Sequence, residues 1–377
     1  MNKVRFADVV KRVNINVDRH NTERLYYVGG EHIDSDEFMV TKRGLIKGST
    51  IGFKFHFGFN PGHILFGSRN PHLRKCSMVD FEGICSDSTY VVETKDPNIL
   101  LQEYLLVEMQ SDRFWAWAEA NKSGGVNYLI NYSTLNTYEF PLPPIEEQKR
   151  LAEKLWAAYE VKQSYLNMIA ATDEMVKSQF IEMFGDPIVN DKQWPDYSCL
   201  SEVTQIVLGS TPNSKEPSYW DGDIRWITPA EMKDQSYYIY DTVRHITEEG
   251  RDAANLTMLP EGTVLFSTRA PIGKVAIAGK EMCCNQGFKN FICSEKLNKV
   301  FLYYTLKYKK DHLCSLGTGT TFKELSKKTV ESLKVAVPPI DLQERFEDTY
   351  NQADKSEFEL RKSIDAIDAV IKSLINS

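Results

Sequence analysis

Two stretches of the chain carry apolar residues at alternating spacings of four and three, with polar residues between them. The first runs without Pro or Gly from Ile145 to about Phe184, and the following Gly185-Asp186-Pro187 predicts its end. The second covers residues 341–377. Sustained four-three spacing predicts a coiled-coil seam. Each helix would be roughly 57 Å long at about 1.5 Å per residue, and so long an apolar stripe needs a partner.

The order of the pieces indicates which partner each helix has. Each helix follows a region of short β-type runs, so the chain reads domain, helix, domain, helix. The nearest partner for each helix is the other helix of the same chain, packed antiparallel. That arrangement would place the two domains at opposite ends of a rod, related by a pseudo-twofold axis. Packing of each helix on its own domain, or on another subunit, is the alternative.

Three positions of the apolar seams are polar: Lys162 and Asp173 in the first helix and Glu357 in the second. Lys162 and Glu357 are equivalent at an offset of 195 residues. In an antiparallel pair, residues near the symmetry axis face their own equivalents. We therefore expect Lys162 to approach Glu357 at the helix crossing, where opposite charges would fix the register. The alternative is that both side chains extend to water on the flank of the rod.

The regions before the helices predict a mixed α+β architecture. Short β-rich runs such as residues 25–28 and 89–92 alternate with Gly, Asn and Pro. Helical stretches are predicted around residues 100–120 and 297–313. This mixture is typical of an α+β domain with a curved, largely antiparallel sheet.

The chain also repeats itself. Pro143-Pro144 recurs as Pro338-Pro339 at an offset of 195, and the run Ile-Leu-Phe at 64–66 recurs as Val-Leu-Phe at 264–266. So long a repeat exceeds a solenoid unit and indicates two copies of a whole domain with its helix. The predicted division is a first domain at 1–144, a helix at 145–184, a second domain at 185–340 and a helix at 341–377.

Composition adds little until the chain is divided. Of a net charge of −7, the two helical segments hold −6, so the globular parts are nearly neutral and permit a basic face without demanding one. The seven cysteines show no C-x-x-C spacing and sit among apolar neighbours, which favours buried, reduced thiols over a zinc site. The sequence shows neither a signal peptide nor a long apolar span. We expect a cytoplasmic protein.

The familiar catalytic motifs do not occur in the sequence. It contains no P-loop, no dinucleotide-binding glycine motif, no H-E-x-x-H and no G-x-S-x-G. Glu93-Thr94-Lys95 has the E-x-K form of some nucleases, but the second half does not repeat it. The chain is therefore expected to bind rather than to catalyse.

Several segments together resemble the specificity subunits of type I restriction-modification systems. The junction PLPPIEEQ at 141–148 recurs as VPPIDLQ at 337–343 and is similar to the family's entry into its helices. Residues 209–212 (GSTP), 219–220 (YW), 224–229 (IRWITP) and 261–273 (EGTVLFSTRAPIG) resemble the family's target recognition domain. The first half departs from this pattern, since it lacks the G-x-T-P and W-I-T-P segments.

The resemblance implies a fold and a set of partners. It implies two mixed α/β target recognition domains, separated and joined by two long antiparallel coiled-coil helices. Each domain would read one half of a split site in double-stranded DNA, and the helices would set the spacing and dock methyltransferase subunits. Those subunits would carry S-adenosylmethionine, and a motor-nuclease subunit would use ATP and Mg²⁺, so no cofactor is expected on this chain. The alternative is a coiled-coil assembly protein with two protein-binding domains.

The candidate DNA contacts are two arginines after the Leu-Phe strands and two glycine-containing loops with their lysines. Glycine lets backbone N–H groups approach a phosphate, and lysines supply charge. The arginines could instead brace the adjoining Pro turn, and the loops could be plain surface hairpins. The full set is Arg69, Arg74, Lys75, Lys122, Gly124, Gly125, Arg269, Lys274, Lys289, Gly317, Gly319, Lys323, Lys327 and Lys328.

Overall fold

The structure is a computed structural model that describes residues 3–125, 127–194, 197–232, 237–269, 271–318 and 323–376. The chain divides into two compact units. Unit 1 comprises Met1–Asn167 with Arg361–Ser377, and unit 2 comprises Met168–Leu360. The division falls inside both long helices, because each half of a helix buries its apolar stripe in the core of the unit beside it.

Unit 1 is built from short strands followed by helices. Its strands are β1 (Lys3–Arg5), β2 (Val10–Arg12), β3 (Ile15–Asn16), β4 (Tyr26–Val28), β5 (Gly44–Leu45), β6 (Phe55–Phe59), β7 (Ile64–Gly67), β8 (Cys76–Met78), β9 (Gly83–Ser86), β10 (Thr89–Thr94) and β11 (Glu139–Pro141). Its helices are α1 (Phe6–Val9), α2 (Gln102–Gln110), α3 (Asp112–Ala120), α4 (Tyr132–Leu135) and the first part of α5 (Ile145–Phe184).

The central layer of unit 1 is an antiparallel sheet in the order β2-β10-β7-β8. Alternation along β7 sends Ile64 and Phe66 to the side covered by α2 and α3, and Leu65 to the opposite side. There Leu65 packs with Val28 and Phe59 of a second sheet, ordered β3-β6-β9-β4-β5. Unit 1 is therefore a helix layer and two main sheets around two cores, with β1 and β11 forming a small third sheet.

Unit 2 repeats this plan with different outer strands. Its strands are β12 (Tyr197–Cys199), β13 (Thr204–Leu208), β14 (Trp220–Ile227), β15 (Tyr238–Ile239), β16 (Arg244–Ile246), β17 (Val264–Thr268), β18 (Ile272–Ala278), β19 (Cys283–Cys284), β20 (Lys289–Cys293) and β21 (Lys334–Ala336). Its helices are α6 (Leu200–Val203), α7 (Glu248–Ala253), α8 (Lys299–Tyr308), α9 (Lys310–Ser315), α10 (Lys327–Glu331) and the first part of α11 (Ile340–Ile375).

The sheets of unit 2 run β13-β20-β17-β18-β15, β16-β14-β19 and the two-stranded β12-β21. Val264 and Phe266 of β17 face the helices, while Leu265 faces the other core, which matches the alternation seen in β7. The largely antiparallel pairing expected from the sequence is confirmed, with parallel exceptions at β14–β19, β15–β18 and β4–β9. The helical stretches predicted at 100–120 and 297–313 are each two short helices with a break between them.

One buried glutamine ties each long helix to its unit. In unit 1 the Gln148 side chain accepts from the backbone N–H of Leu101 (3.0 Å) and donates to the carbonyls of Ile99 and Pro143 (2.9 Å each). In unit 2 Gln343 makes the same three bonds to Asn298 (2.8 Å), Lys296 (3.0 Å) and Pro338 (2.7 Å). Both side chains are fully buried. The repeated Gln found in the sequence is therefore a structural joint.

Within each unit, α5 and α11 contact each other. In unit 1 the Lys162 amino group lies 3.0 Å from Asp368 and 3.2 Å from Glu37. In unit 2 the Gln179 amide donates to the Thr349 hydroxyl at 3.3 Å. Burial lowers the pKa of Lys162, but its bonds to Asp368 and Glu37 outweigh this and raise it overall.

The predicted contact between Lys162 and Glu357 is therefore wrong. The partner of Lys162 on α11 is Asp368, eleven positions beyond Glu357. The reason is register: the equivalence of two residues in sequence does not place them at the crossing point, which the packing of the apolar side chains determines. The position equivalent to Asp368 in the first helix is Asp173, so unit 2 has Asp173 and Glu357 where unit 1 has an ion pair. Asp173 and Glu357 line one depression with Asp354.

Replacement of Lys162 by Glu should lower the stability of unit 1. The change sets a carboxylate against Asp368 and Glu37 and should cost about 1–3 kcal/mol of unfolding free energy. Adding Asp368→Lys should recover most of the loss. Thermal unfolding of the two single variants and the double variant measures this, and additive losses would contradict the ion pair.

Asp354 predicts a pH dependence of unit 2. Burial raises the pKa of its carboxyl group, Glu357 raises it further, and Lys307 opposes both. Because the pKa is higher in the folded state, ionisation of Asp354 opposes folding, and its penalty develops as the pH rises through the unfolded-state and then the folded-state pKa.

Asp354→Asn should therefore stabilise the chain at pH 7 by about 0.2–1 kcal/mol, since the group is partly solvated. The gain should shrink as the pH falls toward 4. Exposed Asp365, on the same helix, supplies the control substitution Asp365→Asn, which should change little. A gain that stays constant with pH would show that titration of Asp354 is not its cause.

Candidate nucleic-acid interface

In unit 1 an arginine and a glycine-containing loop meet where β7 ends. Arg69 forms a β-bridge with Leu129, and Leu129 bridges Ser123 across the loop. The Leu129 N–H donates to the Ser123 carbonyl at 2.9 Å, and the reverse bond is 2.8 Å. The Ile130 N–H donates to the Ser68 carbonyl at 2.9 Å. Three backbone segments are thus fastened at one point, and Arg69 is exposed beside them.

Unit 2 reproduces this junction at the end of β17. Arg269 bridges Glu324, and Glu324 bridges Thr318. The bonds between Thr318 and Glu324 are 3.1 and 2.9 Å, and the Leu325 N–H donates to the Thr268 carbonyl at 3.0 Å. These are the equivalents of the unit 1 contacts at offsets of 195 and 200. The two features that the sequence singled out separately, the arginine and the loop, lie together in both units.

Glycine is required on the first loop for a conformational reason. Gly124 has φ +105°, and a Cβ there would lie 2.8 Å from the Asn127 carbonyl oxygen. At Gly317 a Cβ would lie 2.6 Å from the Ile272 side chain, so the residue permits close packing at the base of the loop. Gly125 is exposed at the loop tip. Gly319 lies outside the described residues.

The lysines on and after the loops differ in their surroundings. Lys122 pairs with Glu119 at 2.6 Å and lies 4.4 Å from the centre of the Tyr128 ring. In unit 2 Lys323 and Lys328 are exposed, and Lys327 pairs with Glu331 at 3.5 Å on the surface of α10. Exposed cations of this kind are available to a phosphate backbone.

Four other predicted contacts have cations that are engaged inside their units. Arg74 pairs with Asp36 (2.6 Å) and Asp112 (2.7 Å). The Lys75 amino group donates to the Gly30 carbonyl. These contacts place the two side chains among the structural bonds of unit 1.

In unit 2 the Lys274 amino group donates to the carbonyls of Pro229 (3.1 Å) and Met232 (2.6 Å). Lys289 is 4% exposed and its amino group lies 3.0 Å from the Thr268 hydroxyl and 3.3 Å from Glu324. Arg269 is 3.9 Å from the same Glu324. Lys289 thus holds the base of the loop from within, and Arg269 is the outer cation of the group.

Sequence reasoning missed a set of stacked cations on the outer sheets. Arg244 lies 3.6 Å from the ring centre of Trp220 and 5.4 Å from that of Trp226. In unit 1 the Arg43 guanidinium lies 4.1 Å from the Tyr26 ring centre and 4.6 Å from that of Phe81. Cations over aromatic faces are stabilised by the ring quadrupole. No spacing in the sequence signals them, because each arginine lies far along the chain from at least one of its aromatic partners.

Within the described residues, no group of His, Cys, Asp and Glu side chains is arranged to hold a metal ion. None of the helices in that part of the chain is both long and apolar enough to cross a membrane. The cysteines are free, and burial raises the pKa of the Cys85 thiol to about 12, which keeps it protonated.

The family profile and the similar proteins all point to the same family. The profile of the type I restriction modification DNA specificity domain matches residues 15–164 and again 192–367. The type I restriction enzyme MjaIX specificity subunit of Methanocaldococcus jannaschii is 37% identical over 158 residues, which cover 41% of this chain and 36% of that protein. The putative MjaX specificity subunit of the same organism is 25% identical over 262 residues, 66% of this chain and 60% of that protein. The matches thus span less than two thirds of these relatives' own length.

Two solved structures share the fold. The S subunit of a type I restriction-modification system from M. genitalium has a TM-score of 0.63 at 14% identity, over 99% of this chain and 94% of that one. A chain from a study of complex assembly and conformational transition in a type I R-M system has a TM-score of 0.58 at 21% identity, over 99% and 96%.

The internal position of Lys289 predicts a structural effect on substitution. Lys289→Met keeps most of the volume but leaves Thr268 and Glu324 without their buried donor, and should cost about 1–3 kcal/mol of unfolding free energy. Lys323→Met, at an exposed position one residue before Glu324, is the matched control and should leave the melting temperature unchanged. Unchanged stability of Lys289→Met together with weakened DNA binding would contradict the structural role.

Proposed function

The chain belongs to the family of type I restriction modification DNA specificity domains, and we propose that it is a non-catalytic subunit that reads a bipartite site in double-stranded DNA. Unit 1 reads one half of the site and unit 2 the other. The sequence read by each half is set by side chains on its outer sheet and loops. The phosphate backbone is held at the arginine-loop junction, which fixes the orientation of each unit on the duplex.

The observation that carries this proposal is the recurrence of the junction. Both units fasten a short loop to the end of their central strand by the same backbone bonds, and both place an arginine beside it. The surrounding side chains differ: unit 1 has Lys122 and Tyr128, whereas unit 2 has Gly317 and Lys323 at the equivalent positions. Two units that bind different half-sites need this combination of the same backbone geometry and different side chains.

The long helices supply the spacing in this proposal. A buried glutamine holds α5 in unit 1 and α11 in unit 2, and the two helices contact each other within each unit. We infer a continuous antiparallel coiled coil that acts as a ruler between the half-sites. A rigid spacer of this kind performs the task that a fixed dimer performs in two-half-site DNA readers.

Exposed apolar side chains on the helices support a docking role. In unit 2, Met168 and Met175 of α5 are each 52% exposed, and Phe358 of α11 is 65% exposed. Water-exposed apolar side chains on long helices favour a protein partner. In this proposal the partners are methyltransferase subunits, which carry S-adenosylmethionine, and a motor-nuclease subunit, which uses ATP and Mg²⁺.

Lys323→Ala should weaken binding to all duplexes by a similar factor and reduce the slope of log K against log salt by about one unit. The control is Lys280→Ala, an exposed lysine at the opposite end of β18. Binding is measured for the assembled complex with its methyltransferase subunits at several salt concentrations. An unchanged slope would exclude a phosphate contact at Lys323.

Adenine methylation in the genome of cells that carry the system tests the function as a whole. A split methylated motif should be found, and Arg269→Ala should reduce its methylation without a change in melting temperature. Loss of stability with unchanged DNA affinity would instead show that Arg269 has a structural role and stabilises the loop. Absence of any methylated motif that depends on this chain would overturn the proposed function.

A further inference from the structure

Unit 2 contains a pocket that the proposed function leaves unused. It has a volume of about 300 Å³ and lies between helices α8 and α9 on one side and the β12–β21 pair on the other. Its wall is mainly apolar, with Leu302, Leu306, Leu313, Leu333 and Val335. A dry cavity of about 150 Å³ holds benzene, so a pocket of this size has room for roughly ten to twelve non-hydrogen atoms.

A lysine is buried in this wall. Lys309 is 8% exposed, and its amino group donates to the Lys334 carbonyl at 2.9 Å. Within the described residues it has no carboxylate at ion-pair distance, and an ammonium group has three hydrogens to donate. The pKa of Lys309 is lowered by burial, which the charge of Asp186 only partly offsets. A buried cation without a counter-ion is unfavourable unless a bound anion completes it.

The rest of the lining adds no carboxylate. Lys334 and His312 also line the pocket, and no Asp or Glu side chain among the described residues does. Thr305 is 2% exposed and adds a hydroxyl group that has no hydrogen-bond partner in the part of the chain that the structure describes. The lining thus combines apolar side chains with donors and lacks a carboxylate.

Unit 1 has a filled core at the corresponding place. Thr305 on α8 corresponds to Glu108 on α2, and Leu333 corresponds to Tyr138. Glu108 is 1% exposed, accepts from the Tyr138 hydroxyl at 2.5 Å and from the Arg113 Nε at 2.8 Å. Unit 1 therefore buries a carboxylate, pairs it with the exposed Arg113 and fills the space with a tyrosine. Unit 2 has the buried Lys309 in this region but neither the carboxylate nor the large side chain.

We propose that this pocket of unit 2 binds a small amphipathic carboxylate, with the carboxylate on Lys309 and the apolar part against the leucines. The ligand supplies the negative charge that Glu108 supplies in unit 1. Its apolar part occupies the volume that Tyr138 fills there. The expected class is a monocarboxylic acid of about ten to twelve non-hydrogen atoms, either aliphatic or aromatic.

Octanoate and 3-phenylpropionate are suitable probes, and octan-1-ol is the neutral control of the same chain length. With the full chain, both acids should raise the melting temperature of unit 2 by about 2–4 °C near saturation, and octan-1-ol should do so less. Isothermal titration gives the affinities directly. Lys309→Met should weaken octanoate binding by about ten- to hundredfold and leave octan-1-ol binding unchanged. Lys280→Met, at an exposed lysine outside the pocket, should change neither.

A second variant tests the pocket without removing the charge. Leu333→Tyr places the unit 1 residue in unit 2 and should abolish binding of both acids and of the alcohol. Saturation-transfer NMR on the unmodified chain, with competition between the two acids, provides a measurement that does not depend on any variant folding. Equal binding of octanoate and octan-1-ol, or undiminished octanoate binding in Leu333→Tyr, would overturn the proposal. So would the absence of any saturation transfer at millimolar acid.

Discussion

The buried glutamine at the start of each long helix is the constraint on which the rest of the structure depends. Its amide satisfies an N–H at the start of a domain helix and two carbonyls, one of them in the Pro-Pro junction. A buried amide with all these partners fixes both the position and the rotation of the helix, because any slip would leave buried polar groups unpaired. The apolar stripe of α5 then faces Phe38 and the helices of unit 1, and that of α11 faces the core of unit 2.

Much of the fold could be predicted because it rests on local or repeated patterns. The bounds of α5 follow from the absence of Pro and Gly and from the glycine after Phe184, and the structure has Ile145–Phe184. The arginine and the glycine loop were recognisable as repeats before their contact was known. The internal ion pairs of Arg74 and Lys289 could not be predicted, because their partners Asp36, Asp112 and Glu324 are distant in the sequence. The predicted partner of Lys162 was wrong for a related reason, since that contact depends on how the apolar side chains of both helices pack together.

Comparison of the two units shows which structural features they share and which differ between them. The strand alternation at β7 and β17, the glutamine joint and the arginine-loop junction are the same in both units. The outer sheets, the charge at the helix contact and the space beside α8 differ. Two of the constant parts, the glutamine joint and the arginine-loop junction, give partners to backbone polar groups that would otherwise be left without them. The charge at the helix contact and the space beside α8 vary because one side chain can replace another there.

Unit 1 is discontinuous, and this has a consequence for synthesis. Its core takes Ile371 from the second long helix, and Asn376 bonds to Asp112 across 264 positions of sequence. At about 5–20 residues per second, residues 1–167 wait roughly 10–40 s on the ribosome before the segment from Arg361 emerges. During that interval the apolar face around Tyr159 has no cover from the second helix. The half of the protein that is translated first is therefore the half that is completed last.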